Sequence, residues 1–259
     1  MTNISTAQAK PPLGVGSLIG ESFSILFGKF LQVFLVAYGP TLLGLLLSGA
    51  LLGFGVIAGT AAPDFGGAGT AIAFLLTIVI SIVTYGITTA LLVQLAYDAK
   101  LGRQIRLGKY LGPAFAALIP IAILSLVVGV LFMIGLALLI IPGLWIYAVF
   151  SVVAPAIVIE RAGFGGLGRS VGLTKEYRWP IVGAILLLIL IMIVVELVAG
   201  FFIGIVSTIF GSAILDIVLR ATISTFGAGL GSILIALIYA RLREIKEGVS
   251  VDQIAAVFD

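Results

Sequence analysis

Lys100-Leu-Gly-Arg-Gln-Ile-Arg-Leu-Gly-Lys109 is the stretch on which the reading of this chain turns. Four of its ten residues are basic, and it separates two apolar stretches, 71–97 and 114–140. About 20 residues at 1.5 Å rise cross a hydrocarbon core, so each of these stretches is long enough to span a bilayer. Short cytoplasmic loops are where membrane proteins concentrate Lys and Arg. Working outward, the same alternation recurs. Positive charge stands at Lys10 and Lys29, then in this cluster, then at Arg161, Arg169, Lys175 and Arg178, and last at Arg241, Arg243 and Lys246. That is thirteen of the fourteen Lys and Arg residues. The opposite connections, around Pro63-Asp64, Pro142-Gly143 and 207–212, carry none. The pattern predicts an all-α polytopic membrane protein, six transmembrane helices arranged as three hairpins, with both termini cytoplasmic.

The spans are predicted at 30–58, 71–97, 114–140, 143–159, 181–206 and 213–240, in a single membrane domain covering 1–259. Residues 1–29 form a cytoplasmic N-terminus and 241–259 a cytoplasmic tail. Pro40 and Pro120 fall inside the first and third spans, where a missing donor bends a helix. Pro155 lies near the cytoplasmic end of the fourth. Trp145 is expected at the outer interface. Trp179, with Tyr97, Tyr110, Tyr177 and Tyr239, is expected at the inner one, as an aromatic belt.

Composition excludes most other classes. Apolar residues make up 61% of the chain and charged residues 10%, with a mean hydropathy of +1.32. Soluble domains carry about a quarter charged residues. The net charge of +3 resides in the loops and implies contact with anionic headgroups, about 1 kcal/mol for each basic residue at the surface. Lys100, Arg103, Arg106, Lys109, Arg169, Lys175 and Arg178 are therefore assigned to lipid headgroups. No basic face suited to nucleic acid is formed. With no Cys and no His, thiolate ligands and the commonest general base are missing. No catalytic constellation, metal cluster or cofactor site is readable. The polar start of the chain does not have the shape of a signal peptide.

Each hairpin is preceded by a short amphipathic segment. Ile19, Phe23, Leu26 and Phe30 share a face before the first. Leu107, Leu111, Ala114 and Leu118 align before the second, and Phe164, Leu167, Val171 and Thr174 before the third. Apolar residues at steps of three and four mark helices lying in the interface plane. Ser250-Val-Asp-Gln253 has capping-box spacing, which predicts a short C-terminal helix. Gly163-Phe-Gly-Gly-Leu-Gly168 has the spacing of a dinucleotide fingerprint. Without a preceding strand, a βαβ unit or a suitable acidic residue beyond it, it is read as part of the third amphipathic segment.

Three ionisable residues fall within the spans: Glu196 in the fifth, Asp216 and Arg220 in the sixth. Asp216 and Arg220 share a helical face, and Glu196 and Arg220 are expected at similar depth on antiparallel neighbours. An unpaired charge at that depth costs about 2.5–3.5 kcal/mol. The cluster is either a polar site for a headgroup, ion or proton, or a mutually satisfied bridge between two helices. With one cation, two anions and no second relay behind them, the bridge is favoured. Thr77, Ser81, Thr84 and Thr88 form a hydroxyl stripe on the second span. It could line a path, although such groups more often bond within the bundle. Glycines four apart, such as Gly49/Gly53, Gly200/Gly204 and Gly227/Gly231, allow close helix approach.

One stretch resembles a known pattern. Ile141-Pro-Gly-Leu-Trp-Ile-Tyr147, Ala154-Pro155, Glu160, Gly163, Gly168-Arg-Ser170, Leu173-Thr-Lys175 and Arg178-Trp179 occur in an order similar to that of the YciC-like proteins and the glycerophosphoryl diester phosphodiesterase membrane domain. The match is densest over 140–180. Here Glu176 stands where that family usually has Gly. The resemblance implies a six-span protein of the bacterial inner (plasma) membrane, and no catalytic phosphodiesterase domain is attached. Two functions follow as expectations: a non-enzymatic protein of envelope organisation or lipid handling, with membrane lipids as partners, or a small transporter or channel using Glu196, Asp216 and Arg220. A protein partner or homo-oligomer is open.

Overall fold

A computed structural model describes residues 11–57, 61–62 and 66–248. Among these the chain is helical throughout. In order, α1 is Val15–Gly28, α2 Phe30–Leu52, α3 Phe54–Ile57, α4 Ala68–Lys100 and α5 Leu107–Leu138. Then come α6 Ile140–Phe150, α7 Val153–Ile159, a 3₁₀ turn at Gly163–Gly165, α8 Gly166–Thr174, α9 Arg178–Phe210 and α10 Ala213–Glu247. Six helical stretches are long and apolar enough to span a membrane, with α6 and α7 together making the fourth. Their outer faces stay unpacked, with Leu138, Leu197 and Ile209 about 70% exposed. So much contiguous apolar surface suits lipid rather than water.

The helix ends have local causes. Gly53, at φ 93°, ends α2 six residues before the expected boundary, and Phe54 folds back onto Gly49. The α9–α10 turn needs only two residues. Gly211 takes the left-handed conformation at φ 57°, and the Ser212 hydroxyl accepts from the Leu215 N–H at 3.4 Å, capping an exposed helix start. The chain runs helically through Pro40 in α2 and through Pro113 and Pro120 in α5.

Two expected features change. The amphipathic segment before the third span is not a separate helix but the first turns of α5, which runs on through Gly112-Pro113. The turn at the far end of that hairpin lies at Leu139, so Pro142 and Gly143 belong to α6. Gly143 instead makes a close crossing: a Cβ there would stand 2.9 Å from the Leu136 nitrogen. The fourth span then breaks at Ser151-Val152. Pro155 has no N–H for the Ser151 carbonyl, and its ring disfavours an unbroken helix before it. The break frees the Val149 carbonyl, which accepts from Ser170 Oγ at 2.8 Å and Thr174 Oγ1 at 3.1 Å. Two hydroxyls of α8 thus answer a carbonyl left over where α6 breaks before α7.

Packing is uneven along the membrane normal. At the basic end, Ala90–Ala96 of α4, Ile181–Ile185 of α9 and Leu230–Leu242 of α10 contribute a large share of the buried core. Gln94 of α4 donates to the Tyr110 carbonyl of α5 at 3.2 Å, and the Tyr110 hydroxyl donates to Asp98 at 2.7 Å. Arg241 donates to the Pro12 carbonyl and Tyr177 to that of Pro11, so the two terminal segments meet at this end. α1 is not merely laid on lipid: Leu18, Ile19, Ser22 and Leu26 are buried, mainly against α9 and α10. The Pro63-Asp64 connection, Lys10 and the expected cap at Ser250-Gln253 lie outside the described residues.

Candidate functional site

A cavity of about 1240 Å³ lies within the bundle, and all six spans contribute to its lining. Most of its lining is apolar: Leu45, Leu124, Met133, Ile185 and Leu188 are representative. The hydroxyl stripe supplies part of the rest, through Ser81, Thr84 and Thr88 of α4. Ser81 also bonds back to Thr77, and Thr77 to Ala73, so part of the stripe serves its own helix. Thr88 differs. It is 3% exposed, and its hydroxyl has no partner among the described residues. An unsatisfied buried hydroxyl costs about 1–3 kcal/mol, a cost that an occupant's polar atom would remove.

A second pocket of about 220 Å³ adjoins the first, the two sharing Leu45 and Ser224. Glu196 and Arg220 line it together with Gly200, Ile203, Ile217 and Ile223. The two charges are thus brought to one site as expected, yet among the described residues no ion pair joins them. Asp216 turns away. It is 3% exposed and accepts from Ser207 Oγ at 2.8 Å, leaving its other oxygen unpartnered among the described residues. The favoured bridge is therefore not formed, and the third member pairs with a hydroxyl of α9 instead. Near the start of α10, Asp216 also gains from the positive end of the helix dipole.

The basic end holds a network that the sequence reading left as separate charges. Arg169 donates to both oxygens of Glu160, from Nε at 2.6 Å and from the terminal nitrogen at 2.8 Å, and also pairs with Glu247. The Tyr239 hydroxyl donates to Glu160 at 2.6 Å, and Arg243 reaches Glu247 at 2.8 Å and Glu160 at 3.6 Å. Hydrogen bonding to Glu160, opposed by burial and reinforced by Glu247, raises the already high pKa of Arg169. Lys246 adds a bond to the Gly172 carbonyl. The network fastens α7, α8 and α10 together. Only the Arg243/Glu247 spacing of four could have signalled it in the sequence.

Of the residues assigned to headgroups, Arg106, Lys109 and Lys175 are exposed at the basic end. Lys100 pairs with Glu21 at 2.5 Å, and Arg103 lies 3.9 Å from Asp98. Arg169 belongs to the network above. Arg178 lies over the Trp145 ring at 5.5 Å, and Trp145 packs on Trp179 with centroids 5.0 Å apart. The two tryptophans therefore share one depth and do not mark opposite interfaces. In the 3₁₀ turn before α8, Phe164 is 57% exposed, and the buried face of α8 is Gly166, Ser170, Leu173 and Thr174. Among the described residues no group of acidic side chains is placed to hold a metal ion.

The chain matches no protein-family model, and no curated protein or solved structure shows significant similarity to it.

Proposed function

We propose that this is a non-catalytic lipid-handling protein of the bacterial inner membrane, with both termini cytoplasmic, that takes a long-chain amphiphile between its helices. The observation that carries this reading is the cavity of about 1240 Å³ with its mainly apolar lining. Pockets for compact, drug-sized molecules run to about 300–1,000 Å³, and a larger apolar space within a membrane bundle suits acyl chains. A small-solute transporter would need a continuous polar path. Here most of the lining is apolar, which favours an apolar occupant. The YciC-like resemblance over 140–180 agrees with this assignment, and the exposed Arg106, Lys109 and Lys175 suit an anionic membrane surface.

Gly129 of α5 lines the cavity, and a Cβ added there meets nothing within 4 Å. Gly129→Phe, alone or with Ser125→Phe one turn away, should fill the space without straining the bundle. Lipid carried through detergent purification, measured by native mass spectrometry, should fall in these variants while helix content and thermal stability hold. Undiminished lipid in a folded double variant would refute the reading.

A further inference from the structure

We infer that the large cavity holds an uncharged lipid, with a hydroxyl or carbonyl head among the α4 hydroxyls near Thr88 and its hydrocarbon tail along α5. This rests on the lipid-handling reading and names the class of ligand. Among the described lining residues every polar side chain is a hydroxyl, of Ser, Thr or Tyr, and none is charged. Glu196 and Arg220 line the adjoining small pocket instead, and both are exposed. A phosphate or an ammonium inside the large cavity would therefore meet no counter-ion, which is costly in the membrane interior. A neutral polar head would be answered there, because each hydroxyl both donates and accepts.

Depth makes the same selection. On α4 the lining runs from Ser81 to Thr89, thirteen residues from Ala68 and eleven from Lys100. On α10 it runs from Ser224 to Ile235, eleven residues from Ala213 and twelve from Glu247. At 1.5 Å per residue, roughly 16 Å or more of helix separates these hydroxyls from either end. A phospholipid keeps its charged head at an interface and would bring only methylene groups to this depth. An uncharged head can enter the membrane interior, where the hydroxyls stand. Gly86 of α4 faces Ile121 of α5, whose side chain would lie 3.3 Å from an added Cβ, so residues 84–89 share the depth of Ile121. Thr89 hydrogen-bonds the Tyr85 hydroxyl, and Tyr147 of α6 stands near enough to Tyr85 for the two hydroxyls to interact. Beyond Ser125, α5 lines the cavity with no polar side chain, from Leu126 to Ile134, which gives the tail its course. Thr88 marks the head's position. It lines the cavity, is 3% exposed, and its hydroxyl has no partner among the described residues. Threonine on a helix has two accessible χ1 rotamers, so this hydroxyl can turn to a ligand without moving the backbone.

The test loads the full chain in detergent with dioleoylglycerol, a prenylquinone, dioleoyl phosphatidylglycerol or dioleoyl phosphatidylethanolamine. Lipid retained after gel filtration is extracted and counted by mass spectrometry. At least one of the two uncharged lipids should be retained about tenfold more than either phospholipid. Which one it is tells a glycerol hydroxyl from a ring carbonyl as the head. Thr88→Val should lower that retention about fivefold, as expected for one hydrogen bond. Thr88→Ser should keep it, and neither change should alter the phospholipids. Without lipid, the Thr88→Val protein should be at least as stable as the native one, since its hydroxyl gives up no partner. Gly129→Phe should lower retention of the uncharged lipid by blocking the tail. If the unaltered protein retains neither uncharged lipid better than the phospholipids, the assignment is overturned, whether or not a variant folds. A folded Thr88→Val protein with undiminished uncharged lipid overturns it too. Each of those results leaves lipid handling standing if Gly129→Phe still lowers the total lipid, whereas an unchanged total would remove that reading as well.

Discussion

Replacing Arg169 by Met tests what holds the basic end together. In the native protein this guanidinium makes three charge-assisted contacts, two with Glu160 and one with Glu247. Hydrogen bonds to charged groups contribute about 1.5–3 kcal/mol each when desolvated. Here the side chains are 32%, 20% and 25% exposed, so water screens part of that. A fully exposed pair would be worth about 0.2–1 kcal/mol, and breaking a fully buried one about 3–5 kcal/mol. An intermediate loss of about 2–3 kcal/mol is expected. Tyr239 still donates to Glu160 in the variant, at 2.6 Å in the native protein, and Arg243 remains 3.6 Å away, which keeps the loss below the buried limit. The pair term itself comes from a cycle of Arg169→Met, Glu160→Gln and their combination, followed by unfolding in one fixed detergent. A coupling energy of about 1.5–2 kcal/mol is expected, smaller in 1 M salt, where the screening length is about 3 Å. Losses that add to within about 0.3–0.5 kcal/mol would mean no coupling, and the fastening of α7 to α8 through this pair would be refuted.

Three further outcomes are expected. Glu176 sits at φ 75°, so Glu176→Gly should be more stable than Glu176→Ala by about 1 kcal/mol. Both variants lose the carboxylate, and the difference in melting temperature reports the backbone alone. Gly143→Ala should lower stability by about 1–3 kcal/mol through overpacking, because the added carbon meets the α5 backbone at 2.9 Å; an unchanged melting curve would deny that crossing. In a chain with no native Cys, a Cys at Ser212 should react with an impermeant thiol reagent from outside intact cells and one at Gln104 should not. Labelling at Gln104 would invert the topology.

Hydropathy and the placement of Lys and Arg made the six spans and their pairing legible, because both signals are local and the bilayer acts on each segment separately. The α9–α10 connection was read at 207–212, whereas the helix runs on to Phe210 before the turn at Gly211-Ser212. The break in the fourth span was harder. Pro155 was visible, but whether it bends, breaks or merely begins a helix depends on what satisfies the Val149 carbonyl, and Ser170 and Thr174 lie twenty-one and twenty-five residues away. Trp145 was misplaced too, since its contact with Trp179 is made between residues thirty-four apart in the chain. The Glu160 network escaped because its members, Glu160, Arg169 and the Tyr239–Glu247 stretch of α10, come from three separated segments and none of them signals the others. Glu196 and Arg220 were correctly brought to one site by depth alone. Depth does not fix the direction of a side chain around the helix, and so could not say whether they touch.

The cavity was unreadable because it depends on where helices fail to pack. Lipid gives helices no hydrophobic reason to associate, so close approach depends on small residues and polar links. The basic end has both kinds of polar link, the Gln94–Tyr110 tie and the Glu160 network. Elsewhere glycines set the contacts: Gly135 against Gly143, Gly44 against Thr84, Gly227 against Met192. Gly200 and Gly204 have the same spacing, yet a Cβ at either meets nothing within 4 Å. The glycines of α9 are thus not spent on helix approach. One of them, Gly200, borders the space shared by Glu196 and Arg220, where any side chain would intrude. The same sequence signal therefore closes the bundle at one depth and keeps it open at another, and only the neighbour across the gap decides which.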